Sequence, residues 1–212
     1  MLLYSYFRSS ASFRVRIALN LKGLPYDYAA VHLLKKEQAE PAYAALTPAQ
    51  LVPLLKDGDA LLSQSLAIIE YLDETHPEPP LLPGDALARA RIRALALDIA
   101  CEIHPLNPLR VLRYLVKDMG VSDAAKDTWY RHWVEPGLAA VERQIAASPA
   151  TGRFLHGDTP TLADCTLVPQ IFNARRLDCR LDHVPTVMRV FDACMALDAF
   201  DRAQPSRCPD AQ

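Results

Sequence analysis

Residues 4–19 read Tyr-Ser-Tyr-Phe-Arg-Ser-Ser-Ala-Ser-Phe-Arg-Val-Arg-Ile-Ala-Leu, and this stretch decides how the first third of the chain folds. An apolar start leads into a serine-rich segment at 8–12 and then into helical periodicity, which predicts a strand, a turn and a helix N-terminus. A helix N-terminus gathers free backbone N–H groups and the positive end of the helix dipole, here beside serine hydroxyls and the guanidinium of Arg8. The segment therefore predicts a site that stabilises an anion.

The pattern of strands and helices alternates from this segment to residue 75. Gly23 stands where a helix C-cap is expected, and the turn Asp57-Gly58-Asp59 predicts a hairpin. Ser63 and Ser65 are candidate N-caps of the next helix. We predict strands at 2–5, 26–31, 51–56 and 60–62 and helices at 14–22, 38–46 and 66–75. The order β-α-β-α-β-β-α resembles that of a thioredoxin-like domain.

Strand patterns end at the proline-rich segment 77–84, which breaks any helix and predicts a linker. Thr161 and Asp164 have the spacing of a capping box ahead of an apolar run. We predict the remaining helices at 85–101, 122–147 and 185–197 and a frayed polar tail at 204–212. The fold class is therefore α/β plus all-α, with domains at 1–76 and 85–212.

Composition excludes several classes of function. The formal net charge of −2 over 212 residues gives no indication of a nucleic-acid partner, and no apolar run is long enough to span a membrane. The five cysteines are odd in number and show neither paired nor zinc-binding spacing, which indicates reduced thiols, no metal site and a cytoplasmic location. The N-terminus has no secretory signal pattern.

Four motifs together resemble those of zeta-class glutathione transferases, a family that includes maleylacetoacetate and maleylpyruvate isomerases. They are Arg8-Ser9-Ser10-x-Ser12-x-Arg14-Val15-Arg16-Ile17-Ala18-Leu19, the helix 64–72, the segment 157–165 and Leu167-Val168-Pro169-Gln170. The resemblance implies a thioredoxin-like glutathione-binding domain, a helical substrate-side domain, glutathione as cofactor and a homodimer. It departs at Ala11, where the zeta pattern usually has cysteine; this leaves the glutathione mechanism intact but puts thiol-dependent side activities in doubt.

Serines are the predicted catalytic groups. Only a few per cent of a free thiol with a pKa of about 8.5 is ionised at neutral pH, so an enzyme that uses glutathione must favour the thiolate. By the resemblance, Ser9 donates a hydrogen bond to the sulfur, with Ser10 as second choice. Without the resemblance, simple capping of the following helix would be the preferred interpretation of these serines.

The resemblance also implies how the rest of glutathione is held. Val52, before a predicted cis-Pro53, would pair with the cysteinyl part like an added strand, the alternative being an ordinary loop proline. Gln64 and Ser65 would bind the γ-glutamyl carboxylate and amine, although Ser65 could also be only a cap. Further glutathione contacts are assigned to Gln38, near the glycyl end, and to His104. Without the resemblance, His104 would be interpreted as a structural hydrogen-bonding residue.

Arginines are the expected ligands of a substrate with two carboxylates, because their planar donors match that group. The resemblance assigns this role to Arg8, Arg110 and Arg176; the alternative for any of them is a surface ion pair. Arg175 is interpreted as solvated, and Asp164 as a structural cap.

The reaction that the resemblance implies is cis–trans isomerisation of a small dicarboxylic keto acid, maleylpyruvate or maleylacetoacetate, to its fumaryl isomer. His104, Arg110 and the missing cysteine favour maleylpyruvate. Two alternatives remain open at this point. One is a broad-specificity glutathione transferase or dehalogenase, and the other is a non-catalytic adaptor with the same fold.

Overall fold

A mixed four-stranded sheet forms the centre of the N-terminal part of the chain. The structure, a computed structural model, describes all 212 residues. The strands are β1 (Leu2–Ser5), β2 (Asp27–Ala30), β3 (Leu54–Asp57) and β4 (Ala60–Ser63), in the sheet order β2-β1-β3-β4. β1 runs parallel to β2 and antiparallel to β3, with Leu3 opposite Leu55 and both side chains fully buried.

Two helices, α1 (Ser10–Leu21) and α2 (Pro41–Ala44), lie between strands, and a third, α3 (Ser65–Thr75), follows β4. The observed order confirms the predicted β-α-β-α-β-β-α succession. α1 begins four residues before the predicted start at 14, because Ser9 acts as its N-cap and the other serines form the first turn. The third helix likewise begins at Ser65, so the prediction that this residue is an N-cap was wrong.

Proline shortens two of the predicted elements in the N-terminal part of the chain. The helix expected at 38–46 is reduced to α2, which Pro41 begins, after two short 3-10 turns at 33–35 and 37–39. The strand expected from 51 begins only at Leu54, because Pro53 has no N–H to donate to a neighbouring strand.

The C-terminal end of the chain returns to the N-terminal fold. One compact unit comprises residues 1–82 together with 195–212, and the other comprises 83–194. α9 (Asp198–Ala203) packs on α1, and the buried Arg16 donates through Nε to the Ala203 carbonyl at 2.9 Å. The prediction of a frayed tail at 204–212 was wrong, and the division of the chain differs from the predicted ranges 1–76 and 85–212 by this returning segment.

The second unit is helical. Its helices are α4 (Ala86–Leu97), α5 (Leu109–Lys117), α6 (Asp123–Ala146), α7 (Leu162–Arg176) and α8 (Pro185–Met195). α4 ends at Leu97, before the predicted end at 101, and continues into a π-helical segment at 98–103 and a 3-10 turn at 104–106 that contains Pro105. α7 is buried at every position from Leu162 to Ile171, which makes it the central helix of this unit.

Asp164 caps α7 and connects it to the preceding loop. Its carboxylate accepts hydrogen bonds from the backbone N–H of Leu155 (2.9 Å) and from both the N–H and the hydroxyl of Thr161 (2.8 Å each). The predicted capping box is therefore confirmed. None of the helices combines the length and the hydropathy that crossing a bilayer requires.

Candidate functional site

The residues predicted to bind a ligand in the first unit follow or precede strands at one edge of the sheet. β1 and β2 are parallel, and β4 is antiparallel to β3, which is itself antiparallel to β1. The C-terminal ends of β1, β2 and β4 therefore lie at the same edge as the N-terminal end of β3. The segments that leave or enter the sheet there contain Ser9 and Ser10, Gln38, Val52, and Gln64 and Ser65.

Ser9 lies at the N-terminus of α1, immediately after β1 and a turn. Its Oγ accepts a hydrogen bond from the backbone N–H of Ser12 at 3.2 Å, which is the capping interaction. A hydroxyl that accepts in this way still has its own hydrogen to donate. Ser9 is half-buried, whereas Ser10, the first residue of the helix, is 5% exposed. Capping and donation to a ligand are therefore compatible at Ser9 and are not alternatives.

Val52 lies just outside the hydrogen-bonded ladder of the sheet. The Val52–Pro53 peptide is cis, as predicted, and the pairing of β3 with β1 begins at Leu54. The backbone of Val52 thus lies just before β3 and has no partner strand. Such a position can pair with an extended peptide.

The N-terminus of α3 has no side-chain cap. Gln64, the residue before the helix, has φ 68° and ψ 115°, a region that residues other than glycine rarely adopt, and its side chain makes no capping hydrogen bond. The first N–H groups of an 11-residue helix are therefore left without a side-chain acceptor. They offer donors and a favourable dipole to a carboxylate at this point.

Arg14 is a contributor that the sequence analysis missed. It is 3% exposed and donates from Nη1 to Ser65 Oγ at 3.2 Å, so a positive charge lies next to the first residue of α3. Arg14 and Arg16 both lie on α1, where every residue from 12 to 19 is buried. A buried arginine needs hydrogen-bond acceptors, and one acceptor of Arg14 is the hydroxyl of Ser65 at the start of α3.

Gln38 lies in the segment that follows β2. It belongs to a short 3-10 turn and is half-buried, and its Oε1 is buried without a hydrogen-bond partner. His32, at the start of the same segment, is also buried; its Nδ1 accepts from the N–H of Lys35, and its Nε2 has no partner. This segment thus carries polar atoms that are not satisfied within the chain.

The remaining predicted residues are exposed or half-buried. Arg8 is exposed and its guanidinium lies 4.9 Å from the centre of the Phe7 ring. In the second unit, His104 is half-buried at the end of the π-helical segment, Arg110 is exposed near the start of α5, and Arg176 is exposed at the C-terminus of α7.

Arg175 is exposed to solvent, as predicted, and also has partners on the next helix. Its guanidinium lies 4.4 Å from the centre of the Phe191 ring and 3.8 Å from Asp192 Oδ1. Both partners belong to α8, so Arg175 connects α7 to α8. An arginine at a helix end can lay its planar group on an aromatic face from a neighbouring helix and still be exposed to solvent.

Two surface hollows lie outside the predicted residues. One, of about 270 Å³, is lined by parts of β1, β2 and α2, including Tyr4, Glu37 and Tyr43. The other, of about 520 Å³, is an open groove on α6 in the second unit, beside the Glu135–Arg180 ion pair.

Comparison with known proteins supplies a family. Residues 3–80 match the family described as glutathione S-transferase, N-terminal domain, and residues 124–204 match its C-terminal domain. The chain is 51% identical over 211 residues to a maleylpyruvate isomerase of a Ralstonia species, and the match covers 100% of both chains.

Solved structures agree with this comparison. One is the holo structure of a maleyl pyruvate isomerase, a bacterial zeta-class glutathione S-transferase, with a TM-score of 0.98, 51% identity and full coverage of both chains. Another is a maleylacetoacetate isomerase from Methylobacterium extorquens AM1 with bound malonate and glutathione, with a TM-score of 0.97, 39% identity and again full coverage of both chains.

Proposed function

The chain belongs to the zeta class of the glutathione S-transferase family, and from this premise we propose that it is a glutathione-dependent cis–trans isomerase that acts on maleylpyruvate or maleylacetoacetate. The observation that carries the proposal is the convergence of Ser9, Val52 and the uncapped N-terminus of α3 at one edge of the sheet.

The residues at this edge fit the three parts of glutathione. The uncapped N–H groups of α3, with Gln64 and Ser65, suit the γ-glutamyl carboxylate and amine, and Arg14 adds positive charge beside them. The unpaired backbone position at Val52 suits the cysteinyl peptide group, and Gln38 is assigned to the glycyl end. His104 is proposed as a further polar contact to glutathione.

Ser9 is the proposed activating group. Bound glutathione supplies a thiolate, which adds reversibly to the conjugated double bond of the substrate and so allows that bond to rotate. The Ser9 hydroxyl, whose oxygen is already engaged by the Ser12 N–H, donates its hydrogen towards the sulfur and favours the anion without adding a charge. Ser10 is buried, which makes it the weaker candidate.

Arginines are the proposed ligands of the substrate carboxylates. Arg8, Arg110 and Arg176 are all exposed, so their guanidinium donors are open to a dicarboxylate. They would also stabilise negative charge that develops on the keto-acid oxygens during the reaction. The 51% identical relative acts on maleylpyruvate by name, and we propose this keto acid as the first substrate to test.

The test is an ultraviolet assay of the purified protein on maleylpyruvate and on maleylacetoacetate, with and without glutathione. We expect turnover that needs glutathione but does not consume it. Equal rates without glutathione, or stoichiometric loss of glutathione, would contradict the proposal. Faster turnover of a haloacid or an aryl halide than of either maleyl acid would favour a broad-specificity transferase, and failure to bind a glutathione column would favour an adaptor.

We also propose that the protein is a cytoplasmic homodimer that serves the breakdown of aromatic compounds. Exposed leucines on α4, Leu87 (79% exposed) and Leu97 (44%), are apolar surface that a second copy could cover. Light scattering coupled to gel filtration measures the mass directly, and a monomer at micromolar concentration would contradict the dimer.

A further inference from the structure

A β-turn at residues 6–9 places Ser9 at the start of α1. The Ser9 N–H closes the turn on the Tyr6 carbonyl at 2.9 Å, so Phe7 and Arg8 are its central residues. The polar backbone groups at the centre of a turn do not take part in its closing hydrogen bond, and when buried they need other partners. Phe7 is 3% exposed, so its partners must come from within the protein.

Both backbone polar groups of Phe7 are held by charged side chains. Its N–H donates to Asp210 Oδ2 at 3.1 Å, and its carbonyl accepts from Arg16 Nη2 at 3.0 Å. Hydrogen bonds in which one partner is charged are about twice as strong as neutral ones. The turn is therefore fixed from two directions, by α1 itself and by a residue 203 positions further along the chain.

Asp210 is itself held in place. Its Oδ1 accepts from the hydroxyl of Tyr28, on β2, at 2.7 Å. Burial, with a smaller contribution from Asp210, raises the pKa of the Tyr28 phenol, so that this hydroxyl stays protonated and remains a donor. Each carboxylate oxygen thus has one partner, and Asp210 connects β2 to the turn.

Packing of the returning segment does not itself require this contact. α9 already anchors the segment on α1, with Arg16 Nε on the Ala203 carbonyl and Asn20 Nδ2 on the Ala199 carbonyl, both at 2.9 Å. Asp210 lies seven residues beyond the end of α9 and is half-buried. Its carboxylate contacts the backbone only two residues before Ser9.

We propose that Asp210 is a positioning residue for Ser9, which holds the turn at 6–9 so that the Ser9 hydroxyl meets the thiol of glutathione. This inference rests on the function proposed above for Ser9. Asp210 does not contact the ligand in this scheme and acts through the Phe7 peptide. A displacement of about 1 Å in a reacting group can cost a large factor in rate, so a loosened turn should reduce turnover more than affinity.

The test compares Asp210→Ala with Asp210→Asn and with Asp59→Asn, a control in the exposed hairpin turn of the same unit. We expect Asp210→Ala to lower kcat about ten-fold and to raise the pKa of the bound thiol, with little change in the Kd for glutathione. Asp210→Asn should recover most of the activity, because its amide oxygen can still accept from Phe7 and its nitrogen can donate to Tyr28. Asp59→Asn should match the wild type.

Amide hydrogen exchange in the free protein gives a readout that does not need glutathione. The Phe7 N–H should exchange faster in Asp210→Ala than in the wild type, while amides of β3 stay unchanged. Wild-type kcat and thiol pKa in Asp210→Ala would overturn the proposal, even if its melting temperature fell, because the contact would then be structural only.

Failure of the proposed function is distinguishable from failure of this inference. If the wild type neither binds glutathione nor isomerises a maleyl acid, the proposed function is wrong, and the role of Asp210 in serving Ser9 is overturned with it. If the wild type is active and Asp210→Ala has the same kcat and thiol pKa, the positioning role alone is overturned.

Discussion

The guanidinium Nη1 of Arg14 lies 3.2 Å from the Oγ of Ser65, and this buried contact joins α1 to the first residue of α3. The two helices begin at the same edge of the sheet, so the contact fixes their N-termini relative to each other. It also leaves a buried positive charge beside donors that have no side-chain cap. The edge is thereby prepared for a negatively charged ligand before any ligand arrives.

Gln64→Gly should make the protein more stable and weaken its hold on glutathione. The positive φ of 68° costs a glutamine on the order of 1 kcal/mol or more, which glycine largely avoids. Loss of the side chain should weaken glutathione binding about ten-fold. Thermal unfolding and calorimetric titration measure the two effects. Gln50→Gly, at φ 52°, is the matched control and should gain stability with unchanged affinity for glutathione. If Gln64→Gly also binds glutathione as tightly as the wild type, Gln64 does not belong to the site.

Ser9→Ala should lower kcat roughly 10- to 100-fold, because a hydrogen bond to a charged sulfur is lost. Glutathione affinity should change little, since Gln64 and Ser65 hold the other end. Ultraviolet titration of the bound thiol should show a raised pKa. Ser122→Ala is the control, because Ser122 caps α6 with the same 3.2 Å geometry and should cost stability alone. An unchanged thiol pKa in Ser9→Ala would transfer the role to Ser10.

Arg176→Lys keeps the charge but loses the planar pair of donors. We expect kcat/KM to fall roughly ten-fold to over a hundred-fold, which corresponds to about 1–3 kcal/mol, with stability and glutathione affinity nearly unchanged. Steady-state kinetics at saturating glutathione measure it. The neighbouring Arg175 is unsuitable as a silent control, because it stacks on Phe191. Arg143→Lys, at an exposed position on α6, is the better one. Wild-type kcat/KM in Arg176→Lys would reduce this residue to a surface charge.

Asp164 should make stability depend on pH between about 4 and 6. Burial raises the pKa of this carboxyl to about 6, while its hydrogen bonds to Leu155 and Thr161 oppose the shift. The folded state then keeps the proton when the unfolded state has lost it, so the free energy of unfolding falls as pH rises through this window, by at most about 1.4 kcal/mol per pH unit.

Asp164→Asn removes this contribution, and urea unfolding at pH 4, 5 and 6 should show it. The variant should also be less stable at every pH by about 1–3 kcal/mol, because its amide donates where Thr161 also donates. Parallel pH dependence in the variant and the wild type would show that Asp164 does not titrate in this range.

Local patterns were sufficient to predict most of the fold. Serines before a helical repeat, Gly23 after it, and the turn at 57–59 each act within a few residues, and the predicted order of elements was confirmed. Boundaries were less accurate. The start of α1 at Ser10 depends on which of several serines takes the extended backbone of a cap, and this choice was not readable from the repeat that begins at Arg14.

Contacts between distant parts of the chain could not be predicted. Residues 204–212 are polar and show no periodic pattern. No neighbouring residue indicates that Asp210 accepts a hydrogen bond from Phe7. Arg14 belongs to one of the four sequence motifs, but its burial against Ser65 depends on how α1 and α3 pack. The assignments of Ser9, Val52, Gln64 and the three arginines came from resemblance to a family, and they remain predictions for the experiments above.

The return of residues 195–212 to the first unit has a consequence for biosynthesis. The buried Arg16 needs the Ala203 carbonyl, which leaves the ribosome 187 residues later. Residues 1–82 are translated before residues 83–194, but the Arg16 Nε donor lacks its acceptor until residues 195–212 have also emerged. The first unit should therefore finish folding after the second, although most of its residues are translated earlier. On a ribosome stalled before residue 195, the Arg16 Nε donor would have no acceptor, whereas Ser5 and Phe7 could still accept from the other two nitrogens.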